Sequence, residues 1–427
     1  MTLRVHLVSE HASPLALLGG VDAGGQNVHV AALATGLARL GADVVVHTRR
    51  DDPSRAREVE FAPGVLVDHV DAGPPVPLPK DRLLPYMGEF ADDLTRRWRA
   101  RRPDVVHAHF WMSGLAAVEA GDRLDVPVAL TYHALGVEKQ RHQRDADTSP
   151  AGRLATEQWL AAAVDRVIAT TAAERRTLVA MGSPAHRVDV LPCGVDLERF
   201  RADGPSYPPR RGRRRIVCVS RLVRRKGIDD VVAALTQVPD AELLVAGGPP
   251  AAMLPDDAEA TYLRELAEEL GVADRVELLG AVDRHQVPSL LRSADVVCCT
   301  PWYEPFGLVA VEAMACGVPV VASRVGGLAE TVRDGVTGFL VAPREPAAIA
   351  EALHRVLDQP ELAVSMRAQA ARRASRYGWD LVAERTLQVL TEVARLGRGR
   401  ATPVPRAATA CRTEPDPTID STLGPVQ

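Results

Sequence analysis

The feature that most constrains this chain is a rhythm that runs twice: short apolar stretches alternate with longer amphipathic ones. Leu3–Val8 reads as a strand. Val30, Leu33, Leu37 and Leu40 then step by three and four, marking one face of a helix. Gly41 closes that helix and Val44–His47 is the next strand. Val65–Val70, Asp104–His107, Val128–Thr131, Arg166–Ala169 and Arg187–Leu191 continue the series, with helical patterns between most of them. Strand–helix–strand order predicts a parallel, doubly wound α/β sheet. The rhythm breaks at residues 199–214, where Asp203-Gly-Pro-Ser-Tyr-Pro-Pro leads into Arg210, Arg211, Arg213, Arg214 and Arg215. Five arginines in six positions read as a solvated linker. Alternation restarts with strands at Ile216–Ser220, Ala241–Ala246, Arg275–Leu278, Asp295–Cys299, Val318–Ala322 and Phe339–Val341.

Two doubly wound halves, 1–198 and 215–378, are therefore expected to face each other across a cleft, where ligands of such folds bind. Trp379, Val382, Thr386, Val389, Val393 and Leu396 mark one face of a last helix, 379–397, expected to return to the first half. Residues 398–427 hold five prolines and no aromatic residue, and are expected to be disordered.

Composition narrows the function classes. The chain has 427 residues, 46 % hydrophobic, with a formal net charge of −4. That is globular, and gives no reason to expect nucleic acid or a membrane surface as partner. No 18-residue apolar run predicts a membrane span. The first residues read as a strand, too short and polar for a signal peptide. None of the six cysteines has C-x-x-C spacing, so reduced, buried thiols in a cytoplasmic enzyme are expected.

Three constellations carry chemistry. Glu304-Pro-Phe-Gly-Leu-Val-Ala-Val-Glu312 places two carboxylates eight residues apart, where a loop turns into a helix. On helical spacing both would address one ligand across a helix N-terminus, carboxylates taking hydroxyls and amides taking phosphate. These are the needs of a sugar nucleotide. Ser220-Arg221-Leu-Val-Arg-Arg-Lys226-Gly227 follows the first strand of the second half. Arg221 and Lys226 can neutralise a departing diphosphate without a metal, whereas Arg224 and Arg225 read as solvated. Gly19-Gly-Val-Asp-Ala-Gly-Gly-Gln-Asn27 joins the first strand to the first helix and permits close backbone approach; it lacks the G-x-G-x-x-G of a nicotinamide fingerprint. Histidines also mark strand ends of the first half: His11, His107, His109 and His133. His107 reads as structural, His109 and His133 as functional. No carboxylate or cysteine stands at ligand spacing from them, so no metal is expected. Asp22 and Asp334 are candidate bases with no paired nucleophile.

Together these residues resemble the retaining glycosyltransferases of family 4, which have the GT-B fold of two Rossmann-like domains. The resemblance covers roughly residues 3–396, on Gly24-Gly25-Gln26-Asn27, Gly194-Val-Asp196, Arg221…Lys226-Gly227, Glu304…Glu312 and Gly326-Gly327. It implies a donor side of Gly25, Arg221, Lys226, Glu304, Phe306, Gly307, Leu308 and Glu312. Glu304 would contact the donor sugar, Glu312 the ribose, and the cations the diphosphate, with His133 beside the reacting centre. Leaving-group phosphate takes the acceptor proton in that family, so neither a dedicated base nor a cofactor is implied.

Within the family, the first half is similar to the inositol-phosphate N-acetylglucosaminyltransferases of mycothiol synthesis and to sucrose-phosphate synthases. That kinship implies an acceptor side of His11, Asp22, Gly24, Gln26, Asn27, Lys80, His109, Phe110 and Arg153, with Lys80 and Arg153 on an acceptor phosphate. Phe110 stands where the first subgroup has tyrosine, Ala134 where it has threonine, and Gln26 where it has methionine. The acceptor therefore stays open. The expected partners are a nucleotide-diphosphate sugar, UDP favoured, and a small hydroxyl acceptor. A sugar-nucleotide epimerase on the same plan, or a non-catalytic nucleotide-sugar binder, are the competing readings.

Overall fold

A computed structural model describes residues 2–16, 24–143, 148–208 and 212–397. The first half forms an eight-stranded sheet from β1 (Arg4–Val8), β2 (Asp43–Arg49), β3 (Glu58–Ala62), β4 (Val65–Val70), β5 (Val105–His109), β6 (Val128–Thr131), β7 (Arg166–Ala169) and β8 (Val188–Val190), in the order β3-β4-β2-β1-β5-β6-β7-β8. The second half forms a six-stranded sheet from β9 (Arg214–Val219), β10 (Ala241–Ala246), β11 (Val276–Gly280), β12 (Val296–Cys299), β13 (Val320–Ser323) and β14 (Gly338–Val341), in the order β11-β10-β9-β12-β13-β14. Except for β3, which runs antiparallel to β4, the pairs are parallel. These are two Rossmann-like α/β domains.

The strands are rich in valine, whose branched side chains suit a pleated sheet covered on both faces. Val5, Leu7, Val44, Val46 and Val105 pack against Val30, Leu33 and Leu37 of the helix Gly25–Arg39. In the second half Ile216, Leu243, Val245 and Val296 pack against Val231, Val232 and Leu353 on one face. On the other face Val217, Leu244 and Val297 meet Ala310, Val311 and Met314 of the helix Leu308–Ala315.

Two elements differ from the sequence reading. β3 went unread: Glu58-Val-Glu-Phe-Ala is a half-exposed edge strand whose charges mask its alternation. Arg215 is not a linker charge. It lies in β9, buried, its Nε 2.8 Å from Glu242 Oε1 on the paired position of β10. Five arginines in six positions hid a strand entry. Arg210, Arg211 and residues 398–427 lie outside the described residues.

The last helix, Trp379–Leu396, lies against the first half: Ala383, Leu390 and Val393 join its core. Val195 and Gly378 form a bridge at the crossing. A Cβ on Gly194 would sit 2.3 Å from the Trp379 ring, so glycine is required there. The five described cysteines are free thiols, and burial raises each thiol pKa above its ordinary value. No described helix is long and apolar enough to cross a membrane.

Candidate functional site

Strand order reverses between β1 and β5 in one sheet and between β9 and β12 in the other. Loops leaving such neighbouring strands splay apart and open a crevice. A cavity of about 640 Å³ lies between the halves, lined from both.

The second-half wall comes from two loops. Ser220–Gly227 follows β9 and Thr300–Gly307 follows β12. Gly227 has φ +63°, and a Cβ there would lie 2.1 Å from the Thr300 carbonyl oxygen, so glycine lets the loops touch. Thr300 Oγ1 donates to the Gly227 carbonyl and the Trp302 amide to that of Arg225. Held this way, Lys226 Nζ lies 2.6 Å from Glu304 Oε2. Burial alone would raise the Glu304 carboxyl; Lys226, then Arg225 and Arg221, outweigh it and hold the group below the usual carboxylate range. Gly326 and Gly327 pack on the Glu304–Phe306 backbone, and the Gly327 amide donates to the Glu304 carbonyl.

Arg225 corrects the sequence reading. It lines the cavity beside Arg221 and Lys226, and burial, then Arg221, lowers its pKa. Three cations, not two, therefore face one carboxylate. Arg224 behaves as expected, over Tyr262 at 3.8 Å from the ring centroid and beside Asp229.

Glu312 does not share the cavity wall with Glu304. Residues 304–307 precede the helix, so helical spacing does not govern them. Glu312 points instead at Arg284, 2.9 Å away, in the buried layer under the sheet. Burial raises its carboxyl above the usual range and Arg284 only partly opposes this. Phe306, Gly307 and Leu308 do line the cavity.

The first-half wall gathers His11, Gly24, Gly25, Gln26, Lys80, His133, Lys139, Thr148 and Arg153. A Cβ on Gly25 would meet Leu308 Cδ1 at 2.9 Å, so here the halves touch. Asn27 is not on the wall. Its Oδ1 accepts from the Gly24 amide and its Nδ2 donates to the Ser13 carbonyl, which fixes the loop. Asp22 lies outside the described residues. Arg153 is buried, with Nε on Glu157, Nη1 on Ser149 and Nη2 on the Ala134 carbonyl. Its guanidinium also lies 5.2 Å from the Phe110 ring centroid, and Phe110 itself is buried. Lys139 and Thr148 were not read from the sequence. The helix Gly136–Gln143 carries Lys139 to the wall, its Nζ 3.0 Å from Ser149 Oγ.

His133 Nε2 and His109 Nδ1 lie 3.0 Å apart, and His29 packs edge-on against both rings and against Trp379. Burial lowers the pKa of all three, that of His29 to about 4. His107 is the structural residue expected, 2.9 Å from Thr131 Oγ1 and lowered by burial to about 3. His133 (φ +60°) and Phe110 (φ +83°) both sit in the left-handed region, an uncommon backbone state for side chains of this size. Nitrogens of His29, His109 and His133 lie within 4.8 Å of one another. The set holds three imidazoles and no carboxylate or thiolate, and its His109–His133 pair is already hydrogen-bonded. Asp334 is tied to Arg324 and the Leu340 amide, away from the cavity.

Comparison with known proteins places this geometry. Residues 23–199 match the family described as Glycosyltransferase Family 4, and residues 201–373 that described as Glycosyl transferases group 1. The D-inositol 3-phosphate glycosyltransferase of Streptomyces griseus is 38 % identical, over 93 % of this chain and 90 % of the relative. That of Kineococcus radiotolerans is also 38 % identical, over 90 % and 94 %. Among solved structures, the sucrose-phosphate synthase of Thermosynechococcus elongatus superposes with a TM-score of 0.84 at 31 % identity, over 92 % of this chain and all of that one.

Proposed function

The chain belongs to the family 4 glycosyltransferases of GT-B fold and is a glycosyltransferase, and from that premise we propose that it moves a hexose, with retention, from a UDP-sugar to a hydroxyl of a small phosphorylated acceptor. The observation that carries this is the pairing of two unlike walls across one cavity. Arg221, Arg225 and Lys226 surround Glu304 on one side, and Lys80, Lys139 and Arg153 stand on the other.

On the second-half wall the diphosphate lies on the three cations. As the glycosidic bond breaks, negative charge grows on the leaving oxygen, and fixed cations stabilise it without reorganising. Glu304, ionised beside Lys226, accepts hydrogen bonds from sugar hydroxyls. Glu312 stands one helix turn behind the wall, and in this reading it reaches the ribose only after parting from Arg284. On the first-half wall, His133 and the Gly24–Gly25 backbone border the reacting centre. With His133 held neutral by burial, the group beside the reacting centre is no strong acid, which fits proton transfer to the departing phosphate. UDP is the nucleotide implied by kinship with the inositol-phosphate and sucrose-phosphate groups. The phosphorylated acceptor draws on the relatives' named substrate, D-inositol 3-phosphate, and on the three first-half cations.

The test is transfer from UDP-glucose and UDP-N-acetylglucosamine to D-inositol 3-phosphate and to unphosphorylated inositol, with UDP release and product mass as readouts. Transfer to the phosphorylated acceptor with retained anomeric configuration is the expected result. UDP release unaffected by either acceptor would refute the acceptor assignment. A reaction that interconverts donor sugars without release would favour an epimerase.

A further inference from the structure

Glu10 is a carboxylate that the proposed reaction leaves unused. It lies two residues beyond β1 and is 1 % exposed, with no lysine or arginine bonded to its side chain among the described contacts. Its carboxylate crosses the switch point to the helix Trp111–Leu124: Oε2 accepts from Ser113 Oγ, while its own amide donates to that hydroxyl at 3.0 Å. Its Oε1 lies 2.7 Å from His11 Nδ1. The backbone is held too, because the Arg49 amide donates to the Glu10 carbonyl at 3.0 Å. His11 lines the cavity and packs edge-on against Phe110, ring centroids 5.0 Å apart.

We propose that Glu10 is a positioning residue, which holds His11 as the Nδ1–H tautomer so that Nε2 presents a lone pair to a hydroxyl of the acceptor. The proposal rests on the hydroxyl-acceptor reading above. A buried carboxylate has only lone pairs to offer, so the His11 nitrogen facing it must carry hydrogen; the other nitrogen then accepts. The neighbouring wall makes such an acceptor valuable. Lys80, Lys139 and Arg153 donate only. Glu157 is spent on Arg153 and the Gly136 amide. Gln26 turns its amide N–H₂ to Ser9 and the His109 carbonyl, so its Oε1 is the other accepting group beside His11. A polyol or sugar needs acceptors for its hydroxyls as well as cations for its phosphate, and His11 supplies one in a fixed direction. Removing one such hydrogen bond from a site built for it discriminates strongly.

The experiment compares Glu10→Met, which keeps volume and removes both oxygens, with Glu10→Gln, which keeps an accepting oxygen, alongside His11→Ala and Glu10→Met/His11→Ala. With UDP-N-acetylglucosamine and D-inositol 3-phosphate, Glu10→Met is expected to raise the acceptor KM roughly tenfold. The melting shift given by UDP should stay unchanged. Glu10→Gln should recover most of the loss, and the double variant should be no worse than His11→Ala alone. Nitrogen-15 spectra of histidine-labelled protein, with His11 assigned by its loss in His11→Ala, give a readout independent of turnover. His11 should be the Nδ1–H tautomer in wild type and Glu10→Gln, and a mixture in Glu10→Met. Multiplying losses in the double variant, a Glu10→Gln as impaired as Glu10→Met, or an unchanged tautomer in Glu10→Met would each overturn the proposal. So would loss of the preference for D-inositol 3-phosphate over inositol in Glu10→Met, because His11 would then be acting as a cation. If wild type turns over neither acceptor, the acceptor reading has failed, and the spectra still decide the tautomer.

Discussion

In the second half of the chain, Arg221, Arg225, Lys226 and Glu304 come from two loops that meet at one switch point, and contacts inside that half hold the two loops together. In the first half, the polar groups at the cavity come from residues spread between His11 and Arg153, on four segments, and several are braced by buried partners. The second-half wall is charged: one carboxylate kept ionised by three cations. The first-half wall combines cations with His133, an imidazole that burial keeps neutral. A diphosphate is the same anion on every nucleotide sugar, so a compact charged cradle serves it. An acceptor differs in shape and hydroxyl pattern, and a wall of dispersed residues can be retuned one position at a time.

The contrast breaks most visibly at Glu304. Glu304→Ala is expected to lower turnover by 10²–10³, or about 3–4 kcal/mol, because a charged contact to the reacting sugar is lost. UDP binding followed by melting temperature should persist. Near-normal turnover in that variant would remove Glu304 from the mechanism.

Arg225 tests the three-cation cradle next. Arg225→Ala should weaken UDP binding by roughly 2 kcal/mol, the scale of a hydrogen bond to a charged group. Transfer by wild type should survive excess chelator. Loss of activity restored by magnesium or manganese would mean that a metal carries the diphosphate.

Acid should separate the halves. His29 and His107 are held near 4 and 3 by burial, below the ordinary value of about 6.5. With the folded pKa depressed, the unfolded chain binds more protons. The stability these neutral residues contribute is therefore complete above about pH 6.5 and lost as pH falls toward the folded values. For His29, on the order of 2 kcal/mol should disappear between pH 7 and pH 5. Thermal melts across that range check it: a falling midpoint, less steep in His29→Gln, is expected, and a flat one would contradict the burial account.

The smallest effect is at Lys139. Lys139→Ala should cost about 1 kcal/mol in the preference for a phosphorylated over a neutral acceptor, because Lys80 and Arg153 share the anion. The preference itself is read from competing acceptors in one vessel.

Legibility in the sequence follows the same division. The parallel sheets were readable because valine-rich buried strands leave continuous apolar runs, and the strands Val128–Thr131, Arg166–Ala169 and Ala241–Ala246 lie where the pattern placed them. Arg221, Lys226 and Glu304 could be placed at the cavity because each lies in the loop that directly follows a strand. Arg225 was misread because adjacent cations in a tight turn point to different sides, and only the turn's geometry shows which. Arg215 was misread because a charged residue in a buried strand needs its cross-strand partner, Glu242, to make sense. Glu312 could not be placed by helical spacing from Glu304, because its helix begins only at Leu308. Lys139 and His29 gave no local signal: their roles arise where separate segments converge.

The division of labour between the walls is tested most directly by calorimetric titration of UDP into wild type, Arg225→Ala and Lys139→Ala. The account predicts at least a tenfold loss of affinity in Arg225→Ala, with Lys139→Ala within about twofold of wild type. Equal losses in both, or a loss confined to Lys139→Ala, would contradict it, because the nucleotide would then lie on the wall assigned to the acceptor.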